Sequence, residues 1–300
     1  MEQQSVIGID LGGTAIKLGQ FLRDGTCLKS LTIATPQPST PKKVLRTMVE
    51  AIKQLRFCET CHALGVGTPG PADAQGRIAK VAINLSGWQN IPLADWLETE
   101  TGLPTTIAND ANCAGLGETW LGAGKNFKNL ILLTLGTGVG GAIILDGHLF
   151  TGHLGAAGEL GLITLNFNGP LCKSGNQGSL EQYASVQAIR RMAQKEPIEL
   201  GQLAAKGNRE ALKFWKDYGR LLGAGLANLI YILTPEAIVI GGGVSASTPY
   251  FFPATLLEIK RRVLPSYREG LQLISAELGN QAGMIGAAKL AWKKVDELTS

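Results

Sequence analysis

The chain has 300 residues, 45% hydrophobic and 17% charged, which suits a large buried core and two domains rather than one. Its 28 Lys and Arg against 24 Asp and Glu give a formal charge of +4. The basic residues lie in short groups such as Lys42-Lys43 and Lys260-Arg261-Arg262, which excludes an extended nucleic-acid-binding surface. Five Cys form no disulfide framework, no uninterrupted apolar run reaches membrane-spanning length, and Met1-Glu2-Gln3-Gln4 is no signal peptide. The expectation is a soluble, cytoplasmic protein with no membrane partner.

In chain order, Ser5–Ile33 reads as a three-stranded meander whose first turn is Gly12-Gly13-Thr14. A proline-rich loop, Pro36–Pro41, follows. Val44, Leu45, Met48, Val49, Ile52 and Leu55 then recur at helical spacing over Lys43–Leu55. Cys58-Glu59-Thr60-Cys61 has CxxC spacing without a second pair and reads as the frayed end of that helix. Ala63–Gly67 is a strand stopped by Thr68-Pro69-Gly70-Pro71. Ile91–Thr101 is a helix with Pro92 in its first turn. Strand Thr105–Ala108 runs into Asn109-Asp110, and a helix follows over Ala111–Trp120. A second apolar strand, Gly/Thr turn and apolar strand occupies Leu130–Ile144. Helices are predicted over Glu181–Ala193 and Arg209–Leu233, the latter with small residues at Gly219, Gly223 and Gly225 that invite close packing. Ala237–Ile240 is a buried strand entering Gly241-Gly242-Gly243, and Met284–Val295 is a closing amphipathic helix. Strands and helices mix throughout, so the fold class is α/β.

The two hairpins share one grammar. Each has short β-branched strands, a Gly/Thr turn, and a later Asp-Gly turn, Asp24-Gly25 or Asp146-Gly147. Glycine accepts positive φ and lets backbone N–H groups approach an anion. Such turns can cradle phosphate oxygens, with Thr14 and Thr137 adding hydroxyls. Neither is a Rossmann or Walker fingerprint, because a strand follows the glycines and no Lys-Ser/Thr closes them. Two copies in one chain point to a duplicated fold with a phosphate between its halves. Asn109-Asp110 sits where a strand gives way to a helix. It suits an N-cap, and equally a general base. Glu159 and Glu181, each set among small residues, suit surface caps or acceptors for sugar hydroxyls.

Taken together, these stretches resemble the ROK family of sugar kinases over nearly the whole chain. Asp10-Leu11-Gly12-Gly13-Thr14 with Lys17 is similar to the family's first phosphate motif, and Gly136-Thr137-Gly138 through Gly140 to its second. Gly67–Pro71 and Asn84–Trp88 match the stretch before the catalytic motif. Asn109-Asp110-Ala111-Asn112 with Gly117-Glu118 matches that motif itself. Gly158–Gly161 and Gly178–Glu181 match the sugar-contacting signature, and Gly241-Gly242-Gly243 the adenosine side. The resemblance implies a two-domain actin-like ATPase fold, a duplicated ribonuclease H-like unit with an interdomain cleft. The smaller domain would span 1–112, with helix 284–300 packing back on it, and the larger 113–283. It implies ATP with Mg²⁺, Asp110 as the general base, and a sugar held by Asn84, Asn109, Asp110, Glu159 and Glu181. Phosphates would meet Asp10, Gly12, Gly13, Thr14, Lys17, Gly136, Thr137, Gly138 and Gly140. The implied activity is phosphorylation of a hexose primary hydroxyl, glucose first, in a homodimer. Fructose, mannose and N-acetylated amino-sugars are alternative substrates. A sugar-responsive regulator is the alternative of another class, although only Met1–Gln4 precede the first strand where a helix-turn-helix would be expected.

One part of the resemblance fails. The family's structural zinc is held by a His and three Cys, and the matching positions hold Leu162, Cys172, Ser174 and Ser179. Leucine cannot ligate, and one thiol does not make a tetrahedral site. No structural zinc is expected, and the loop should be held by glycine turns at Gly175 and Gly178 with apolar packing around Leu162, Leu165 and Phe167.

Overall fold

β1 (Ser5–Leu11) and β2 (Ala15–Leu22) pair antiparallel, and only Gly12, Gly13 and Thr14 lie between the two strands to reverse the chain. This computed structural model describes residues 4–55, 61–82 and 84–299, so of the frayed helix end read over Cys58–Cys61 the first three residues lie outside the described residues, and Cys61 is corrected, because it opens a strand. β3 (Cys27–Ala34) continues the meander beside β2. α1 (Pro41–Leu55) turns Val44, Met48, Ile52 and Leu55 inward. β4 (Cys61–Thr68) then joins parallel on the free side of β1. A small ribbon of β5 (Ala79–Val81) and β6 (Gln89–Ile91), then α2 (Leu93–Thr101), leads to β7 (Thr105–Asn109), parallel to β4. α3 (Asp110–Trp120) follows without a break. The sheet order is β3-β2-β1-β4-β7.

The second sheet repeats that plan. β8 (Leu130–Leu135) and β9 (Val139–Leu145) form an antiparallel hairpin, and β10 (His148–Leu149) follows through Asp146-Gly147. Both of these turn residues have positive φ, as a tight hairpin requires. β11 (Ala237–Gly241) and β12 (Gln272–Ser275) add in parallel, giving the order β10-β9-β8-β11-β12. A hairpin that leads into parallel strands thus occurs twice, with the glycine turn at the same place in each sheet.

The predicted helix over Glu181–Ala193 is two helices, α4 (Glu181–Ala184) and α5 (Val186–Ala193). Ser185 between them is extended, and its hydroxyl accepts the Ala188 N–H at 3.1 Å. The capping preference of serine overrides the helical spacing here. α6 (Pro197–Ala205) precedes α7 (Arg209–Leu233), which spans the predicted residues. What packs closely on α7 is α8 (Thr248–Arg262): a Cβ on Gly219 would stand 2.4 Å from the Phe251 carbonyl oxygen. Trp215, Tyr218, Leu222 and Phe251 from this pair fill the core against Ile131, Leu133, Ile238 and Ile240.

The last helix, α9 (Ala282–Thr299), packs on the first sheet. Along β1 the side chains alternate: Ile7, Ile9 and Leu11 enter the core with α1, while Gly8 faces the other way. Gly65 of β4 does the same. A Cβ there would lie 1.8 Å from the Ala287 carbonyl oxygen, so the helix backbone rests directly on the strands. The residues group into two compact units. One comprises Met1–Lys125, Leu149–Ala157 and Asn280–Ser300, and the other Asn126–His148 and Gly158–Gly279. Among the described residues no helix is long and apolar enough to cross a membrane.

Candidate active site

In the first unit three parallel strands end together. Asp10 of β1 is level with Gly67 of β4, and Thr68 of β4 with Asn109 of β7. The carboxyl ends of parallel strands are where open α/β sheets place ligand sites. The Asp10 side chain is one-fifth exposed and its Oδ2 lies 3.4 Å from Lys17 Nζ, which also donates to the Asn280 carbonyl at 2.9 Å. Burial pushes the Asp10 carboxyl above its ordinary value, and the Lys17 ammonium opposes that shift. The Cys113 thiol is pushed well up by burial and by the negative charges of Asp10 and Asp110. Both carboxylates therefore act on one buried thiol of α3.

The capping question at the α3 N-terminus has a clear answer. Asn109 Oδ1 accepts the N–H groups of Ala111 at 2.9 Å and Asn112 at 3.3 Å. Asp110 Oδ1 shares the Ala111 N–H at 2.8 Å. Asn109 carries the cap, and Asp110 adds a carboxylate at the positive end of the helix. The first glycine turn closes with Gly12 N–H on the Ala15 carbonyl at 2.9 Å, braced by the Thr35 hydroxyl on the Gly12 carbonyl at 2.7 Å. Asn84 stands beside it, with its Cβ 3.3 Å from where a Cβ on Gly13 would lie. The loop carrying Asn84 is pinned by Ser39, which accepts from the Ser86 N–H and the Trp88 indole.

In the second unit the turn Gly136-Thr137-Gly138 closes with Gly136 N–H on the Gly138 carbonyl at 3.0 Å. Gly140 follows in β9, level with Thr134. Glu181 Oε2 accepts the Val139 N–H at 2.9 Å and would stand 2.5 Å from a Cβ on Gly138. Gly241 is level with Thr134, and Gly242, at φ 83°, sits against the Leu135 backbone at 2.5–2.6 Å from an added Cβ. The glycine turn after β11 thus abuts the second hairpin, and Gly243 opens the short turn that follows. Glu159 is exposed on part of its surface; partial burial, then the charge of Glu181, raises its carboxyl above the ordinary value.

The structure therefore brings Asp10, Gly12, Gly13, Thr14, Lys17, Asn84, Asn109 and Asp110 into one unit. It gathers Gly136, Thr137, Gly138, Gly140, Glu159, Glu181 and Gly241–Gly243 in the other. Sequence reasoning missed two contributors. Gly283 of α9 stands where a Cβ would lie 3.0 Å from the Asp10 Cγ, so its lack of a side chain makes room for that carboxylate. Asn176 anchors the loop between Glu159 and Glu181. Neither has a spacing signal, because each contact joins segments distant in the chain or reversed by a turn.

The four zinc positions do not fit the metal. The Ser174 and Ser179 hydroxyls lie beside the Cys172 thiol; burial acts to raise it, but they outweigh that and leave it below its ordinary value. One thiol, two hydroxyls and Leu162 are not a zinc donor set. Among the described residues no group of three or more His, Cys, Asp or Glu could hold a metal ion. The expected apolar packing at Phe167 is also corrected. It is 76% exposed, whereas Leu165 packs against the core of its unit and polar bonds also hold the arms.

The ROK family model matches residues 6–294. The chain is 32% identical to a glucokinase of Thermotoga maritima, over 98% of this chain and 99% of that one. A ROK hexokinase structure from Thermus thermophilus superposes with a TM-score of 0.88 at 34% identity, over 98% of this chain and 100% of that one. A ROK family glucokinase from Streptomyces griseus, solved in complex with glucose and AMPPNP, gives 0.81 at 32% identity, over 96% and 99% of the two chains. Matched along almost its whole length, with two hairpin-led sheets in the two-domain actin-like ATPase fold, the chain belongs to the ROK family.

Proposed function

We propose that the protein is an ATP-dependent hexokinase that phosphorylates the primary hydroxyl of a hexose, glucose first. The observation that carries this reading is the placement of Asp110 at the N-terminus of α3, with Asn109 supplying the cap and Asp10 at the carboxyl end of a parallel strand in the same sheet. Full-length similarity to glucokinases supports the phosphoryl donor and the sugar class.

Phosphoryl transfer needs positioning and charge neutralisation more than covalent chemistry. Asp110 takes the proton of the primary hydroxyl as that oxygen attacks the γ-phosphate in line. N–H groups of the two glycine turns stabilise charge on the phosphate oxygens. We assign sugar hydroxyls to Asn84, Asn109, Asp110, Glu159 and Glu181, and the adenosine side to Gly241–Gly243. Mg²⁺ keeps several waters and binds through one or two carboxylates plus substrate phosphates, a demand that Asp10 at its strand end fits. It would be held by Asp10 through water and would neutralise phosphate charge when bound with ATP. We further propose a cytoplasmic homodimer without structural zinc.

The test is Asp110→Asn. The amide keeps hydrogen bonding but takes no proton, so kcat should fall about 10²–10⁴-fold with sugar affinity and melting temperature largely kept. Nearly full kcat at saturating sugar would reduce Asp110 to a cap.

A further inference from the structure

The segment between Glu159 and Glu181 runs out and back. The outgoing arm holds Leu162, Ile163, Thr164 and Leu165, and the returning arm Leu171 to Ser179, which makes a tight reversal of its own where Leu171 pairs antiparallel with Gln177. Backbone bonds join the arms near their base: Leu180 N–H donates to the Ile163 carbonyl at 2.8 Å, and Leu165 N–H to the Gly178 carbonyl at 2.8 Å. One side chain adds a second tie beside these bonds. Asn176 Nδ2 donates to the Leu162 carbonyl at 2.7 Å and to Thr164 Oγ1 at 3.1 Å. Asn176 Oδ1 accepts the Gln177 N–H at 2.7 Å and the Thr164 hydroxyl at 3.2 Å. Its own carbonyl accepts the Cys172 N–H at 2.7 Å.

These bonds join the same two arms that the absent metal would join. One zinc position, Leu162, is on the outgoing arm, and three, Cys172, Ser174 and Ser179, are on the returning arm. Asn176 lies among those three and reaches the carbonyl of Leu162. A carboxamide is suited to this, because it offers two donors and an acceptor in one plane. Aspartate could not donate to the Leu162 carbonyl, and alanine could make none of these side-chain bonds.

We infer that Asn176 is a positioning residue, a hydrogen-bonded clip that takes the place of the structural zinc and sets the spacing of Glu159 and Glu181. Glu159 begins the outgoing arm three residues before Leu162, and Glu181 follows Ser179 by two. The link to the sugar rests on the function proposed above; the link to the loop does not.

The experiment uses the full chain purified without added metal. It compares the wild type with Asn176→Ala, Asn176→Asp, and Asn176→Ala combined with Leu162→His, Ser174→Cys and Ser179→Cys. The quantities read are zinc per chain, hydrogen exchange across 162–181, and kcat with KM for sugar and for ATP. The wild type should carry no stoichiometric zinc. Both single variants should exchange faster across 162–181 alone. Their sugar KM should rise about tenfold, the order expected for one or two net hydrogen bonds, with ATP KM and kcat within about twofold. The combined variant should take up one zinc per chain and recover both slow exchange and sugar KM. Thr164→Val, which removes one partner, should show an intermediate rise in exchange and keeps the test open if Asn176→Ala fails to fold. Unchanged exchange in the Asn176 variants, one tightly held zinc in the wild type, or zinc uptake without recovery would each overturn the clip. A wild type without sugar-dependent turnover would defeat the proposed function, and exchange with zinc content would still decide the clip.

Discussion

Asn109 caps α3, as the sequence allowed, beside the Asp110 carboxylate for which the general-base role is proposed. Asn109 bonds two N–H groups of the first turn of α3, so Asn109→Ala should cost about 0.5–2 kcal/mol of stability, the range for a lost N-cap. A chemical denaturation curve checks this, and an unchanged midpoint would mean that Asp110 carries the cap alone. Glu159 makes a pH prediction. Its folded-state carboxyl is raised, by burial and then by Glu181, above the ordinary value of 4.5. The folded state therefore binds its proton more readily than the unfolded chain, and this contribution to stability is full below 4.5. It is lost as pH rises through the folded-state pKa. Glu159→Gln should remove that decline, so the melting temperature of the wild type should fall relative to the variant as pH rises through this window. A constant difference across the window would contradict the assignment. Asp110 and Glu159 were legible in the sequence because carboxylates among small residues at element ends stand out. Asn176 and Gly283 were not, since what they do depends on which distant backbone the fold lays beside them.

The hairpins are the most legible elements. Their β-branched strands and glycine turns predict both the strands and the reversal, and the structure places the first turn at Gly12–Thr14. Long helices with one apolar face were equally readable, α7 to its end residues. The misses have physical causes. Ser185 splits a helical pattern by capping, as a local bond competes with the helix. α8 hides from the sequence behind Pro253 in its interior; tertiary packing on Gly219 and Gly223 of α7 holds it in place. α9 also depends on glycines, Gly8 and Gly65 in the strands beneath it and its own Gly286 against α3. A methyl group on Gly65 would press to 1.8 Å from the Ala287 carbonyl oxygen, against backbone that has no rotamer with which to yield. Gly65→Ala should cost about 1–3 kcal/mol or more, as overpacking does, measured by thermal or urea unfolding. Gly65 has no positive φ, so its loss reports packing and not backbone strain. An unfolding midpoint for Gly65→Ala equal to that of the wild type would contradict the close packing of α9.

For the molecule as a whole, two sheets with one topology each present a glycine turn at the mouth of a hairpin, and each carries its own carboxylates. Family membership, with relatives matched over nearly their full length, makes the kinase reading the one that accounts for all of these features together. A regulator without catalysis would need the sugar contacts but no base at Asp110. The most direct measurement is coupled ADP release from MgATP across a panel of hexoses and N-acetylated amino-sugars, with each product identified. The account predicts ADP release only when sugar is present, glucose among the best acceptors, and the phosphate on its primary hydroxyl. Sugar-independent ATP hydrolysis, or sugar binding without turnover for every acceptor, would contradict it.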